Sequence, residues 1–332
     1  VAAETTPAFI AVGGSPMPNV VGTDFKALER MIFERTGIRT VGFRTDGIHS
    51  YLPGAGEAYL ELAKLFLEEP ESKPQVPAER VNILGLTPLD FSVVGNATEL
   101  KNCIEAGGMT VHSSWSMGDT LTNLAQAANA DVNAVVSSTG FYLAQYMKET
   151  YGIPYVAGIP VGAAAVEPWL AALRYGNTSY LTGLTGNETF CKVKFSIADL
   201  NAWKDDRKAP AEPCDVLLIG EPVWLLSLRQ YLHHEKNIDN IRLICPLADA
   251  PRLLLGEIDT VSVETAIREE CRVARKVIAD PIYSRLLPDE TDKFISFPHE
   301  AYSGRHYRKD IPCFIGSFVE EWATMHLDER RD

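Results

Sequence analysis

The sequence predicts an α/β protein built from small, open, parallel sheets, three in number. Two observations predict this class. Strand-like apolar runs alternate with helical patterns along the whole chain, which is the signature of parallel βα units. At 332 residues the chain is also too long for one ordinary core, and roughly 150 residues per domain points to two or three. With 46% hydrophobic and 23% charged residues it has the composition of an average globular protein, so disordered, collagen-like and disulfide-scaffold classes drop out. No apolar run approaches the ~18 residues of a membrane span.

The elements follow in order. Phe9 to Val12 reads as a buried strand, followed by the loop Gly13-Gly14-Ser15-Pro16. A helix is expected over Asp24 to Arg35, with Phe25, Leu28, Ile32 and Phe33 as its buried stripe, and Thr40 to Phe43 as the next strand. A loop holding Asp46, Gly47 and His49 then leads to a helix over Glu57 to Leu67. Glu68 to Glu79 carries four Glu and three Pro and reads as a linker, which sets a first domain at 1–77. The next unit, 78–205, has the cleanest pattern. Strands at Val81 to Leu84, Thr110 to Ser113 and Ala134 to Ser137 alternate with helices at Thr98 to Ala106, Thr120 to Ala128 and Phe141 to Tyr151. Pro154 to Val156 adds a strand, and Ala164 to Tyr175 a helix. Polar and Pro-bearing stretches between Asn177 and Pro213 mark a second boundary. The third unit, 206–332, opens with the strand Val216 to Ile219 and a helix from Pro222 to His233, then the strand Ile241 to Ile244. A long helix is expected over Val263 to Ile278, short strands at Phe294 to Phe297 and Phe314 to Ile315, and a closing helix at Phe318 to Met325.

The charge sum of −13 argues against nucleic acid as a partner. Six cysteines, at 103, 191, 214, 245, 271 and 313, form no C-x-x-C pair and no Cys/His cluster, so they read as reduced thiols of a cytoplasmic protein, with no metal site legible among them. Ile267, Cys271, Ala274 and Ile278 share a helical stripe, which puts Cys271 in a core. The chain opens on Val1 without an initiator methionine or signal peptide, from which we expect a segment upstream.

Open α/β sheets bind ligands beyond the carboxyl ends of their strands, so function belongs in the loops there. No phosphate loop of the G-x-x-x-x-G-K-[ST] kind and no G-x-S-x-G nucleophile elbow occurs. Gly220 stands alone, with Glu221 and Pro222 where a dinucleotide fold wants further glycines. The densest set of reactive side chains is Phe297-Pro-His-Glu-Ala-Tyr-Ser-Gly-Arg-His306. His299, Arg305 and His306 are the candidate catalytic residues, as proton donors or anion clamps; the alternative is an interface loop. Trp115, with His112 and Met117, can line a planar cofactor or simply pack at a strand end.

Several stretches together resemble the nitrogenase component 1 family, which includes nitrogenase subunits, their assembly scaffolds and related tetrapyrrole reductases. They are Ser15-Pro-Met-Pro-Asn-Val-Val-Gly-Thr-Asp-Phe25, Val81-Asn-Ile-Leu-Gly85, Ser116-Met-Gly-Asp-Thr-Leu121, Val132-Asn-Ala-Val-Val-Ser137, Tyr146 to Tyr155 and Pro160-Val-Gly162. The resemblance implies three Rossmann-like domains, the first incomplete here, pairing with a like subunit as homo- or heterodimer, and electrons from a separate iron-sulfur ATPase. Ser15 and Val136 or Ser137 stand where the family's subunits place cluster or cofactor cysteines, and serine is a far poorer ligand for a soft cluster. An iron-sulfur cluster is therefore expected on residues upstream of Val1 if anywhere. Ser15, Trp115, Ser137 and Gly162 are the candidate cofactor-binding positions. The expected function is an oxidoreductase subunit that reduces an unidentified substrate. The alternative is a non-redox cofactor scaffold or small-ligand-binding homologue.

Overall fold

The computed structural model describes residues 7–43, 45–177, 180, 211–250 and 258–328. The first unit pairs β1 (Ile10–Gly13) with β2 (Thr40–Phe43) in parallel, Ile10 opposite Thr40. Between them lie α1 (Pro16–Val20) and α2 (Phe25–Thr36). Asp24 caps α2 by accepting from the Ala27 N–H at 3.0 Å, and Gly37 closes it in the left-handed region at φ 67°. The stripe expected on α2 is only partly covered: Phe25 is buried, whereas Phe33 is 52% exposed. A two-stranded sheet offers too little apolar surface to bury a whole helix face.

After β2 comes α3 (Tyr51–Phe66), starting six residues earlier than the pattern suggests because Ser50 caps it. Leu52, Gly56, Tyr59 and Ala63 recur at helical spacing and are its buried positions. A Cβ at Gly56 would collide with the Tyr142 ring, so glycine is what lets the helix lie against that side chain. Residues 67–79 form neither helix nor strand and are clipped to the next unit. Asn129 Oδ1 accepts from Glu71 N–H at 2.8 Å, and Asp131 accepts from the N–H groups of Gln75, Glu79 and Arg80.

The second unit runs β3 (Arg80–Leu84), α4 (Pro88–Phe91), α5 (Asn96–Ala106), β4 (Thr110–Ser113), α6 (Leu121–Ala125), β5 (Val132–Val135), α7 (Phe141–Tyr151), β6 (Tyr155–Ala157) and α8 (Ala163–Tyr175). Its four strands lie in the order β4-β3-β5-β6, all parallel. This agrees with the strand and helix pattern of the sequence, in which short strands rich in β-branched and apolar residues alternate with helical spacings.

The third unit contains β7 (Cys214–Ile219), α9 (Pro222–Lys236), β8 (Ile241–Cys245), β9 (Asp259–Thr260), α10 (Glu264–Val273), β10 (Ala274–Ala279), β11 (Phe294–Ser296), α11 (Glu300–Ser303) and α12 (Val319–Ala323). Its order is β11-β10-β7-β8-β9, again all parallel. Two expectations fail here. The helix predicted over Val263 to Ile278 ends at Val273, and its second half is β10, paired to both β7 and β11. Ala274, Val277 and Ile278 fit a helical stripe and a buried strand equally well, and the place between β7 and β11 decides for the strand. Phe314 and Ile315 are buried but outside any strand; Gly316 beyond them bridges to Val161. Cys271 packs in an apolar cluster with Leu217, Ile267 and Val277, so its core position holds, although Ala274 and Ile278 of the expected helical stripe belong to β10. Cys191, and most of the boundary expected between 177 and 213, lie outside the described residues.

One contiguous apolar core joins α3, the second sheet and one face of the third sheet; the other face of the third sheet carries a separate cluster. The carboxyl ends of strands from both large sheets meet at this shared core.

Candidate functional site

Each residue of the site follows a strand. Tyr51 opens α3 beyond β2, Asp90 lies in α4 beyond β3, and Ser138 lies in the turn beyond β5. Glu221 begins α9 beyond β7, Asp280 follows β10, and His299 with Tyr302 follows β11. All three units thus contribute to one place, as expected for open parallel sheets facing one another.

Asp90 is at the centre and is 9% exposed. Its Oδ1 accepts from the Tyr51 hydroxyl at 2.5 Å and faces His299 Nε2 at 3.4 Å, while Oδ2 accepts from the Thr87 hydroxyl at 2.8 Å. His299 is oriented by its own backbone. Its Nδ1 accepts from the Ala301 N–H at 3.3 Å, and its N–H donates to Asp280 at 2.8 Å. With Nδ1 accepting, the neutral ring carries its proton on Nε2, directed at Asp90. Asp280 also accepts from the Ser303 hydroxyl at 2.7 Å and caps the turn at Pro281 through Ile282 N–H, so it staples β10 to the loop after β11.

Glu221 is the second buried carboxylate. It accepts from Ser138 N–H at 2.7 Å, from the Ser138 hydroxyl, and from Trp224 N–H at 2.9 Å as the cap of α9. These donors favour the charged form, but burial outweighs them, and the neighbouring Asp90 charge adds to it; the pKa of Glu221 is pushed up to about 7. Tyr51 and Tyr302 are held well above the ordinary phenol value, mainly by burial, so both remain hydroxyl donors. Beside His299 and Tyr302 lies a cavity of about 10 Å³, also walled by Trp224, Asp280, Phe297 and Gly220.

The sequence candidates are placed as follows. His299 is in the cluster, with its side chain 10% exposed. Arg305 and His306 are on the outside, because Gly304, at φ 61°, turns the chain away after α11. Glu300 is bound instead by Arg308 through two bonds of 2.6 and 2.7 Å, and by Ser92; the Arg308 bonds hold its carboxyl below the usual value. Ser15 is exposed ahead of α1. Trp115 is 4% exposed and packs edge-to-face on Tyr59 at 6.4 Å. Its backbone takes a positive φ of 61°, tied down by its N–H to Asp119 at 2.8 Å. Ser137 caps the turn before α7 and bonds Thr139 at 2.7 Å. Gly162 is packed against Tyr231 and Glu235, with its N–H on Gly316 O at 3.0 Å. None of these four joins the Asp90 cluster through a described contact.

Tyr51, Asp90, Glu221, Asp280 and Tyr302 are not among the candidates that the sequence singles out, although Gly220 to Pro222 stands out as a strand end. A lone acid at a helix start reads as a cap, and only the tertiary structure buries it beside a second acid.

Three parallel sheets with acid and base side chains gathered at their strand ends define a class of multi-sheet α/β proteins. The particular family follows from comparison: residues 1–178 match the model of the family described as "Nitrogenase component 1 type Oxidoreductase", and the chain belongs to that family. It is 29% identical over 156 residues to the nitrogenase iron-molybdenum cofactor biosynthesis protein NifE of Methanococcus maripaludis, covering 45% of this chain and 31% of that protein. It is 32% identical over 116 residues to a light-independent protochlorophyllide reductase chain of Chlorobium phaeobacteroides, covering 35% of this chain and 21% of that one. The chain thus matches about a third or less of the length of these relatives. A solved structure titled "Nitrogenase Cp1 at pH 5" superposes with a TM-score of 0.59 at 14% identity, over 98% of this chain and 71% of that one, which establishes the shared fold.

Among the described residues no helix is long and apolar enough to cross a membrane. The described cysteines do not fit an iron-sulfur cluster: among the described residues no three His, Cys, Asp or Glu gather to hold a metal ion.

Proposed function

We propose that this chain is an oxidoreductase subunit of the nitrogenase component 1 type, in which the meeting place of the three sheets is the reaction chamber. Electrons come from a separate ATP-hydrolysing iron-sulfur reductase, and the chain pairs with a like subunit in the cytoplasm. Its own residues supply proton handling. Reducing an unsaturated bond by two electrons takes up two protons, X=Y + 2e⁻ + 2H⁺ → HX–YH. A group with a pKa near neutrality is suited to supplying them. Glu221, pushed up to about 7, is such a group, and His299 presents an N–H between Asp90 and the cavity. The observation that carries this reading is the convergence of Tyr51, Asp90, Glu221 and His299 from three units on one buried place in a chain of this family.

The lack of a metal-holding group among the described residues favours a second reading, a non-redox scaffold or ligand-binding subunit, and the name of the NifE relative, a cofactor biosynthesis protein, supports it. One experiment separates the two. The full-length protein is mixed anaerobically with an iron-sulfur ATPase reductase, ATP and dithionite. Faster ATP hydrolysis with net electron uptake by the chain supports the oxidoreductase. Binding of the reductase without electron uptake, or no binding at all, leaves the scaffold.

A further inference from the structure

We propose that His299 serves this site as a fixed hydrogen-bond donor and not as a proton shuttle, and that Asp280 is the positioning residue that keeps it so. This rests on the reading of the junction as a reaction chamber and divides the roles within it. A shuttling imidazole takes up a proton on one ring nitrogen while it gives up the proton on the other, so both nitrogens need partners that exchange protons. In this site only one has such a partner. Nδ1 of His299 is occupied by the Ala301 N–H at 3.3 Å, a backbone amide that hands on no proton. Nε2 carries the ring proton and faces Asp90 Oδ1 at 3.4 Å. Asp90 therefore gathers three donors, this N–H and the hydroxyls of Tyr51 and Thr87, and its charge in turn bears on Glu221. His299 thus acts on Glu221 through Asp90, and proton delivery falls to Glu221.

The orientation is imposed from the neighbouring strand. Asp280 follows β10, which lies between β7 and β11, and it is 2% exposed. Its Oδ2 accepts from the His299 N–H at 2.8 Å and from the Ser303 hydroxyl at 2.7 Å, and its Oδ1 from the Ile282 N–H at 2.9 Å. One buried carboxylate grips both ends of the turn from His299 to Ser303, with Ala301 between them. Holding both ends fixes where the Ala301 N–H points, and that N–H decides which ring nitrogen keeps the proton. The Tyr302 ring, its centroid 5.1 Å from that of His299, packs beside the imidazole. Bonds to a charged acceptor are roughly twice as strong as neutral ones, so removing this carboxylate loosens the turn. A role in packing alone would leave the tautomer untouched, which separates positioning from structure.

The test reads the tautomer by magnetic resonance. The full-length protein is labelled with ¹⁵N in its seven histidines, and the two ring nitrogens of each neutral imidazole report where its proton sits. His299→Asn identifies the His299 signals. The expected result at mildly alkaline pH is a pure Nε2–H pattern for His299 in the unaltered chain. Asp280→Ala should move it to the averaged pattern of a ring that exchanges freely, and Asp280→Asn, whose side-chain oxygen still accepts the His299 N–H, should restore most of the Nε2–H pattern. Where Asp280→Ala does not fold by far-ultraviolet circular dichroism, Ser303→Ala removes one bond from the same carboxylate and should shift the pattern part of the way. An unaltered chain whose His299 averages between tautomers, or carries its proton on Nδ1, overturns the fixed donor in favour of a shuttle. An unchanged Nε2–H pattern in Asp280→Ala, or in Ser303→Ala where that is the variant that folds, overturns the positioning role of Asp280. No electron transfer is measured, so failure here leaves the oxidoreductase reading standing, and failure of electron uptake leaves the state of the ring standing.

Discussion

Glu221 makes the stability of this protein depend on pH in a direction opposite to that of an ordinary paired carboxylate. Its folded pKa of about 7 lies above the reference value of 4.5, so the folded state holds the proton more tightly than the unfolded chain. The resulting stability is fully present below about 4.5 and is lost as pH rises to about 7. A difference of that size corresponds to stability on the order of 3 kcal/mol. Glu221→Gln should therefore flatten the curve of Tm against pH between 5 and 8 and raise Tm at the alkaline end; an unchanged curve would place the titration elsewhere. Asp131 has the opposite sign. Burial pushes its carboxyl up, but bonds from Arg80 and from backbone N–H groups more than offset this and hold it below 3.8. Its stabilisation is present above that value and lost as pH falls. Asp131→Ala should cost about 2–4 kcal/mol in urea unfolding, by freeing residues 75–80 and stranding Arg80. Neither role was legible from residue type: His299 was, because it stands in a dense run of polar groups, whereas Glu221 in sequence is only the acid before a helix-starting proline.

At the level of elements, one tight joint is between β3 and the turn before α7. A Cβ on Gly140 would stand 2.6 Å from Leu84 O and 3.0 Å from Gly85 N, both backbone atoms with no freedom to yield. Gly140→Ala should lower stability by about 1–3 kcal/mol in chemical denaturation while leaving secondary structure content unchanged. Because Asp90 and Ser138 hang from the two sides of this joint, the same change should shift the pH dependence set by Glu221. The elements of the second unit were readable because short strands rich in β-branched and apolar residues, such as Val81 to Leu84 and Val132 to Val135, alternate with helical spacings. β10 was not, since Ala274, Val277 and Ile278 satisfy the spacing of a helix and of a strand alike, and only partner strands on both sides decide between them.

For the whole molecule, the first unit is tied to the third by one carboxylate. Asp249, in the loop after β8, accepts from Ser50 N–H at 2.7 Å and from the Ser50 hydroxyl, at the start of α3. Asp249→Ala should speed hydrogen exchange in residues 50–60 and cost about 1–2 kcal/mol, the worth of a helix cap. Exchange unchanged in that segment would mean that packing of Leu52, Tyr59 and Ala63 alone holds α3 in place. Such a tie matters to the site, since Tyr51, next to Ser50, brings the first unit's hydroxyl to Asp90.

Local pattern by itself determined the fold class, the order of most strands and helices, and the resemblance to the family, because each is written in runs and spacings a few residues long. The tertiary structure alone decided that Asp90, Glu221 and His299 meet and that Arg305 and His306 do not. The reason is physical. A charge becomes a functional group here through burial beside another charge, and burial is set by which strand ends face one another across units, as far apart in sequence as Asp90 and His299.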